Sequence, residues 1–204
     1  MPRNPNLTLV QHRLFEIARA FGFVESGRTF RKLLPNGLAE VIHIQAGERG
    51  LQGIFTVNLG VFVPECHRFF VGEIPSVIDE VDCEIRTRLG KLLPEPGDAW
   101  WSHTPPSAVA LDEVGEALRA LALPFVESLS TREAIVSAWR SGRLTRCTYP
   151  RRGVAMAMVL AEIGDAAGAR EALQEALSSS SIHSKRLAER AVEYLELGQA
   201  PAPD

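Results

Sequence analysis

Residues 38–63 read LAEVIHIQAGERGLQGIFTVNLGVFV, and two runs within them, Leu38 to Ala46 and Gly53 to Val63, alternate with a period of two around Gly47-Glu48-Arg49-Gly50. Residues two apart share one face of a strand, and a turn this short joins its strands antiparallel. One step upstream, Arg28 to Leu34 has the same character and meets the pair through Pro35-Asn36-Gly37, a turn signal. One step downstream, Cys83 to Leu89 alternates again. These runs predict an antiparallel sheet of about four or five strands.

The faces of that sheet are predicted to differ. Ile42, Ile44 and Ala46 fall opposite Val41, His43 and Gln45; Phe55, Val57, Leu59, Val61 and Val63 fall opposite Ile54, Thr56, Asn58, Gly60 and Phe62. In the last run Cys83, Ile85, Thr87 and Leu89 oppose Glu84, Arg86 and Arg88. One side should therefore be buried under helices. The other gathers His43, Gln45, Thr56, Asn58, Arg86 and Arg88, if the registers agree. Two guanidinium forks beside neutral hydrogen-bonding groups suit a carboxylate, a phosphate or an acidic surface. The plainer reading is a sheet face that simply meets water.

Outside the sheet the period changes to helical. Val10, Leu14, Ile17, Ala18 and Phe21 predict a helix over residues 9–21, opened by a Thr8-x-x-Gln11 capping box after an unstructured MPRNPN start and closed by Gly22. Pro64 to Pro75 reads equally as a short strand or a packed loop. Pro94, Pro96, Pro105 and Pro106 mark a long connection around Trp100-Trp101, where one indole is a candidate partner-binding anchor and loop packing is the alternative. From residue 112 Val114, Leu118, Leu121 and Ala122 form a stripe interrupted by Pro124, and Ser130-x-x-Glu133 opens a further helix ending at Gly142.

Between Arg140 and Arg152 lie five arginines, Tyr149 and no acid, the expected internal boundary. Nucleic acid binding is disfavoured there, because cations at a helix C-terminus suit the dipole and the whole chain is acidic. Beyond it, Val154 to Ile163, Ala166 to Leu177 and Ser184 to Leu195 read as helices rich in Ala and Leu, with Gly164-Asp165 as a tight turn. The organisation expected is an α+β domain over 1–146 and a helical extension over 147–204, similar to one tetratricopeptide-type hairpin, with disordered last residues. A lone hairpin is better suited to packing or self-association than to a repeat array.

The chain has 204 residues, 46% of them hydrophobic, with 22 basic and 25 acidic side chains and a net charge of −3. This length buries a core without disulfide or metal staples. Three cysteines, Cys66, Cys83 and Cys147, form no CxxC pair and point to a reducing compartment, the cytoplasm. No export signal or membrane span is expected. No GxSxG, GxxxxGK[ST], HExxH or GxGxxG signature occurs, Cys66-His67 lacks a second ligand pair, and the acids from Glu73 to Glu84 read as surface charge. Neither a catalytic residue nor a metal or other cofactor is called for.

The segments FGFVESGRTFRK, VIHIQAG, FTVNLGVFVP, CEIRTRLG, the Trp100-Trp101 pair and ALPFVESLSTREAIVSAW follow one another in an order and spacing that resembles a bacterial family known as domain of unknown function 4304, over about residues 9–140. The resemblance implies a compact bacterial α+β domain and transfers no catalytic residues. The expected function is non-enzymatic: an immunity- or adaptor-like protein that binds a protein partner through His43, Gln45, Asn58, Arg86 and Arg88, helped by Trp100 or Trp101. The alternatives are a small-molecule-binding protein or hydrolase using the same face, and a homo-oligomer formed through the C-terminal helices.

Overall fold

A computed structural model describes residues 5–48, 50–104, 108–147, 152–178 and 181–196. The chain begins with helix α1 (Pro5–Arg19), followed by strands β1 (Val24–Ser26), β2 (Thr29–Leu33), β3 (Ala39–Ala46) and β4 (Ile54–Phe62). Helix α2 (Pro64–Phe70) precedes β5 (Ile85–Arg88), helix α3 (Leu89–Leu92) and the short β6 (Trp101–Ser102). Helices α4 (Ala108–Ala117), α5 (Leu123–Glu127), α6 (Arg132–Arg140), α7 (Arg152–Glu162), α8 (Ala166–Leu177) and α9 (Ile182–Glu196) complete it. The strands form one antiparallel sheet in the order β1-β2-β3-β4-β5, with β6 beside β5 along the same edge of β4. The fold is α+β.

Helices cover one face of the sheet. Phe30, Ile42, Ile44, Phe55, Val57 and Leu59 pack against Val10, Leu14 and Ala18 of α1 and against Val114, Leu118 and Val126 of the α4–α5 region. Farther along the same face, Leu38, Val61 and Ile85 join Ile135 of α6 and the Val154–Leu160 run of α7 in a second apolar cluster that continues into α8 and α9. Helix α7 is thus enclosed, with Ala155, Met156, Ala157 and Leu160 wholly buried. Each wholly buried Val, Leu, Ile or Met side chain contributes roughly 1.5–3 kcal/mol of transfer free energy.

Several local expectations are corrected. Residues 64–70 form neither strand nor loop but α2, because Pro64 fits the first helical turn, which needs no N–H, and Glu65 favours the N-terminal end of the dipole. Thr8 lies inside α1 rather than capping it, and Gln11 instead donates to Glu25 Oε1 and the Gly27 carbonyl, both at 2.6 Å. The cap of α6 is Thr131, not Ser130; its hydroxyl accepts from the Ala134 N–H at 3.1 Å. Pro124 does not break the chain's helical course, because residues Leu118–Ala122 widen into a π-turn that accommodates its missing N–H. The strand expected over Cys83–Leu89 is confined to Ile85–Arg88, after which α3 begins, and Cys83, expected on the face of Ile85, packs instead with Ala39, Val41 and Phe62 on the opposite one. Of the unstructured start, Pro5 and Asn6 belong to α1; residues 1–4 and the last residues from 197 lie outside the described ones.

Candidate functional site

Strand register lines up the face away from the helices. Thr29 pairs with His43, His43 with Asn58 and Asn58 with Arg88, so these four side chains form one row across β2 to β5. The neighbouring rows are Arg31, Val41, Gly60 and Arg86 on one side and Gln45 with Thr56 on the other. The six polar residues expected on this face share it.

The face is not an open plane, because two segments fold over its ends. At one end, residues 72–82 close over Ala39, Val41, Phe62 and Cys83 with the half-buried Ile78. Gly60 makes room for that cover, since a Cβ there would stand 2.6 Å from Cys83 Sγ. At the other end, residues 93–100 cross Thr56, which is buried and donates to the Ala99 carbonyl at 3.0 Å. Gly90 allows this crossing, as a Cβ on it would approach Ala99 N to 2.5 Å.

Between the two covers lies a concavity of about 500 Å³. Gln45 and Asn58 line it from β3 and β4, Arg86 and Arg88 from β5, Glu80 and Asp98 from the two covering segments, and Lys91 and Arg146 from beyond the sheet edge. The Asn58 side-chain amide donates to Gln45 Oε1 at 2.9 Å, which leaves the Gln45 amide N–H groups and the Asn58 carbonyl without that bond. Arg88 Nη1 is 2.5 Å from Asp98 Oδ1, while Trp100 Nε1 donates to Asp98 Oδ2 at 3.2 Å. The Arg88 guanidinium also lies over the Trp100 ring, 5.4 Å from its centre. The hydrogen bonds from Arg88 and Trp100 hold the Asp98 carboxyl below the usual carboxylate range.

Arg86 is less well served. Its guanidinium reaches Glu80 only at 3.9 Å, beyond hydrogen-bonding distance, and its Nε is buried without an acceptor. Burial pushes the Glu80 carboxyl up, opposed by the charges of Arg86 and Arg88. The concavity is therefore cationic, with one arginine firmly paired and another holding unused donors.

Two expected site residues stand apart from it. Trp101 faces the opposite side of the sheet, 6% exposed, where it packs against Phe55 and donates to Glu113 at 3.3 Å; it is a core residue and not a surface anchor. His43 shares the row without lining the concavity. Its Nδ1 lies 2.9 Å from Thr29 Oγ1, and that hydroxyl also stands 3.3 Å from Asp79 Oδ1. Burial first, then the Arg28 charge, lower its pKa, and it is neutral at pH 7. Trp100 stands beside the concavity through Asp98 and Arg88.

The remaining candidates have structural partners. Asp79 pairs with Arg31, and Asp82 accepts from the Asp79 N–H at 2.8 Å. Cys66 donates to the Ala155 carbonyl at 3.4 Å, and His67 packs against Phe62. Burial pushes both the Cys66 and the Cys83 thiols up, which makes them poor nucleophiles. Among the described residues no group of three or more His, Cys, Asp or Glu side chains stands close enough to hold a metal ion. Of the basic run, Arg140 pairs with Asp165 at 3.4 Å and Arg146 turns to the concavity, whereas Tyr149, Arg151 and the Arg152 side chain lie outside the described residues.

Sequence reasoning missed Glu80, Lys91, Asp98 and Arg146 as neighbours of Arg86 and Arg88. Arg146 reaches the site across 55 residues, donating at 3.4 Å to the Lys91 carbonyl, a distance over which periodicity carries no signal. Asp98 had one visible cue, its place two residues before Trp100.

No curated protein and no solved structure matches the chain. A family model, described as a domain of unknown function, does match residues 14–128, which span both the sheet and the two segments that frame the concavity. On that match the chain belongs to the DUF4304 family.

Proposed function

We propose that this chain is a bacterial, cytoplasmic binding protein of the immunity or adaptor kind, which receives an acidic protein partner on the open part of its polar sheet face without catalysing a reaction. The observation that carries the reading is the incompletely paired Arg86, set in a concave, net cationic surface beside Arg88, Lys91 and Arg146. Among the described residues that line it, none offers a thiol or an imidazole, and the one hydroxyl is that of Thr87, which donates to the Arg146 carbonyl at 3.1 Å. The odd number of cysteines, with no CxxC pair, accords with a reducing compartment.

The test is capture from native extract by the wild-type chain and by an Arg86→Gln, Arg88→Gln variant of unchanged circular dichroism. A stoichiometric protein partner, bound about tenfold or more weakly by the variant, is the expected result. A partner held equally well by both removes this surface from the reading. The concave volume of about 500 Å³ favours a second reading, a small anionic ligand in the same place, which copurification of a small molecule would reveal.

Self-association through the C-terminal helices is a separate proposal, motivated by an apolar groove of about 540 Å³ lined by Leu173, Leu177, Val192 and Leu195. Light scattering of the whole chain tests it, and a monomer at every concentration removes it.

A further inference from the structure

We infer that the concavity between Glu80 and Asp98 binds a phosphate monoester dianion, with Arg86, Lys91 and Arg146 as its cationic donors. The inference rests on the binding reading above and names the group that the partner presents. Charge makes the first argument. Four cations, Arg86, Arg88, Lys91 and Arg146, and two carboxylates, Glu80 and Asp98, line the concavity, an excess of two positive charges. A phosphate monoester carries about −1.5 to −2 at neutral pH, so it matches that excess where a single carboxylate leaves half of it unanswered.

Unused donors make the second. Asp98 occupies Arg88, but Glu80 stands 3.9 Å from Arg86, whose buried Nε has no acceptor. Lys91 and Arg146 form no ion pair among the described residues; Arg146 makes one long bond, at 3.4 Å, to a backbone carbonyl. Tetrahedral phosphate oxygens accept from several directions at once, which suits forks and an ammonium arriving from β5, α3 and the turn after α6. The Gln45 amide adds neutral N–H donors on the sheet side, since its oxygen is already taken by Asn58. Space makes the third: about 500 Å³ holds a phosphate together with part of the group that carries it.

The test is calorimetric titration of the whole chain at fixed ionic strength with phenyl phosphate and, separately, benzoate. Phenyl phosphate should bind saturably and benzoate about tenfold more weakly or worse, and Arg86→Gln, Lys91→Gln or Arg146→Gln should each weaken phenyl phosphate about tenfold. Lys91 is exposed, so its variant keeps the test decisive even where the Arg86 variant fails to fold. Equal affinity for benzoate, no saturable heat with phenyl phosphate, or a folded Lys91 variant that binds as the wild type overturns the inference.

A phosphoserine peptide that binds tighter than phenyl phosphate supports the inference with a protein-borne phosphate, and one that binds no tighter supports it with a free phosphate ester. A protein captured in an Arg86- and Arg88-dependent way, yet unphosphorylated and not displaced by phenyl phosphate, overturns this inference and leaves the binding reading standing. Saturable phenyl phosphate binding with no such protein does the reverse.

Discussion

Arg132 grips Glu65 with both prongs of its guanidinium: Nε lies 2.9 Å from Oε1 and Nη2 2.8 Å from Oε2, in a site where the two side chains are only 13% and 6% exposed. The remaining Nη1 donates to the Asn36 carbonyl at 2.9 Å, so one side chain of α6 ties α2 to the turn before β3. Removing the cation strands a buried carboxylate. Arg132→Ala should therefore destabilise the protein by about 3–5 kcal/mol in chemical denaturation, and an Arg132→Met, Glu65→Leu pair should recover most of the loss. Equal stability of the single variant and the wild type would show that Glu65 finds water or another donor.

Glu40 presents the opposite case, a buried carboxyl on the helix-covered side of β3 with Lys32 Nζ 3.2 Å away. Burial raises its pKa above the ordinary value of 4.5, and Lys32 only partly offsets this. The folded state then holds the Glu40 proton more tightly than the unfolded chain. The contribution to stability is complete below the unfolded value and is lost as pH rises through the folded one. Glu40→Gln should remove that decline, so its stability relative to the wild type improves from about pH 4.5 toward neutrality, as followed by denaturation midpoints across pH.

Gly90 is a steric prediction. A methyl group there would meet Ala99 N at 2.5 Å and the Gly97 carbonyl oxygen at 2.7 Å, backbone atoms that cannot step aside singly. Gly90→Ala should cost about 1–3 kcal/mol and lift the segment that carries Asp98 and Trp100. A red shift of indole emission, together with weaker ligand binding, is the expected signature. An unchanged spectrum would show that the segment tolerates the displacement.

The thiols should fall into two classes. Cys66 and Cys83 are 1% and 4% exposed with raised pKa values, whereas Cys147 is half-buried. A chromogenic disulfide reagent should titrate one thiol under native conditions and all three in denaturant. Fast native reaction at Cys83 would mean that residues 72–82 open readily over the sheet.

The sheet was legible because its information is local: period-two runs bounded by Asn36-Gly37 and Gly47 announce both the strands and their faces. The register that brings Arg88 beside Asn58 and His43 follows from those same faces once the turns are set. Helix α2 was illegible because it is short and its polar Glu65 and His67 are buried beside Pro64, Cys66 and Phe69, so polarity along the segment does not follow exposure. The rest of the concavity was hidden for a different reason. Glu80 and Asp98 come from irregular segments, and Lys91 and Arg146 meet only through the folded chain. The Trp100-Trp101 pair shows both limits at once, since adjacency implied opposite directions but gave no hint which indole would enter the core.

The enclosure of α7 separates two intervals that are easily equated. The family match closes at residue 128, while the apolar seam that begins at Leu38 runs on to Ala191. The interval matched by the family model is therefore shorter than the apolar cluster that packs over the sheet. Cutting this chain at the end of the matched interval would bare Leu38, Val63, Cys66 and Phe69 to water, and a relative carrying that interval alone would need another cover for the same seam, such as a second copy, a different tail or a smaller set of apolar side chains.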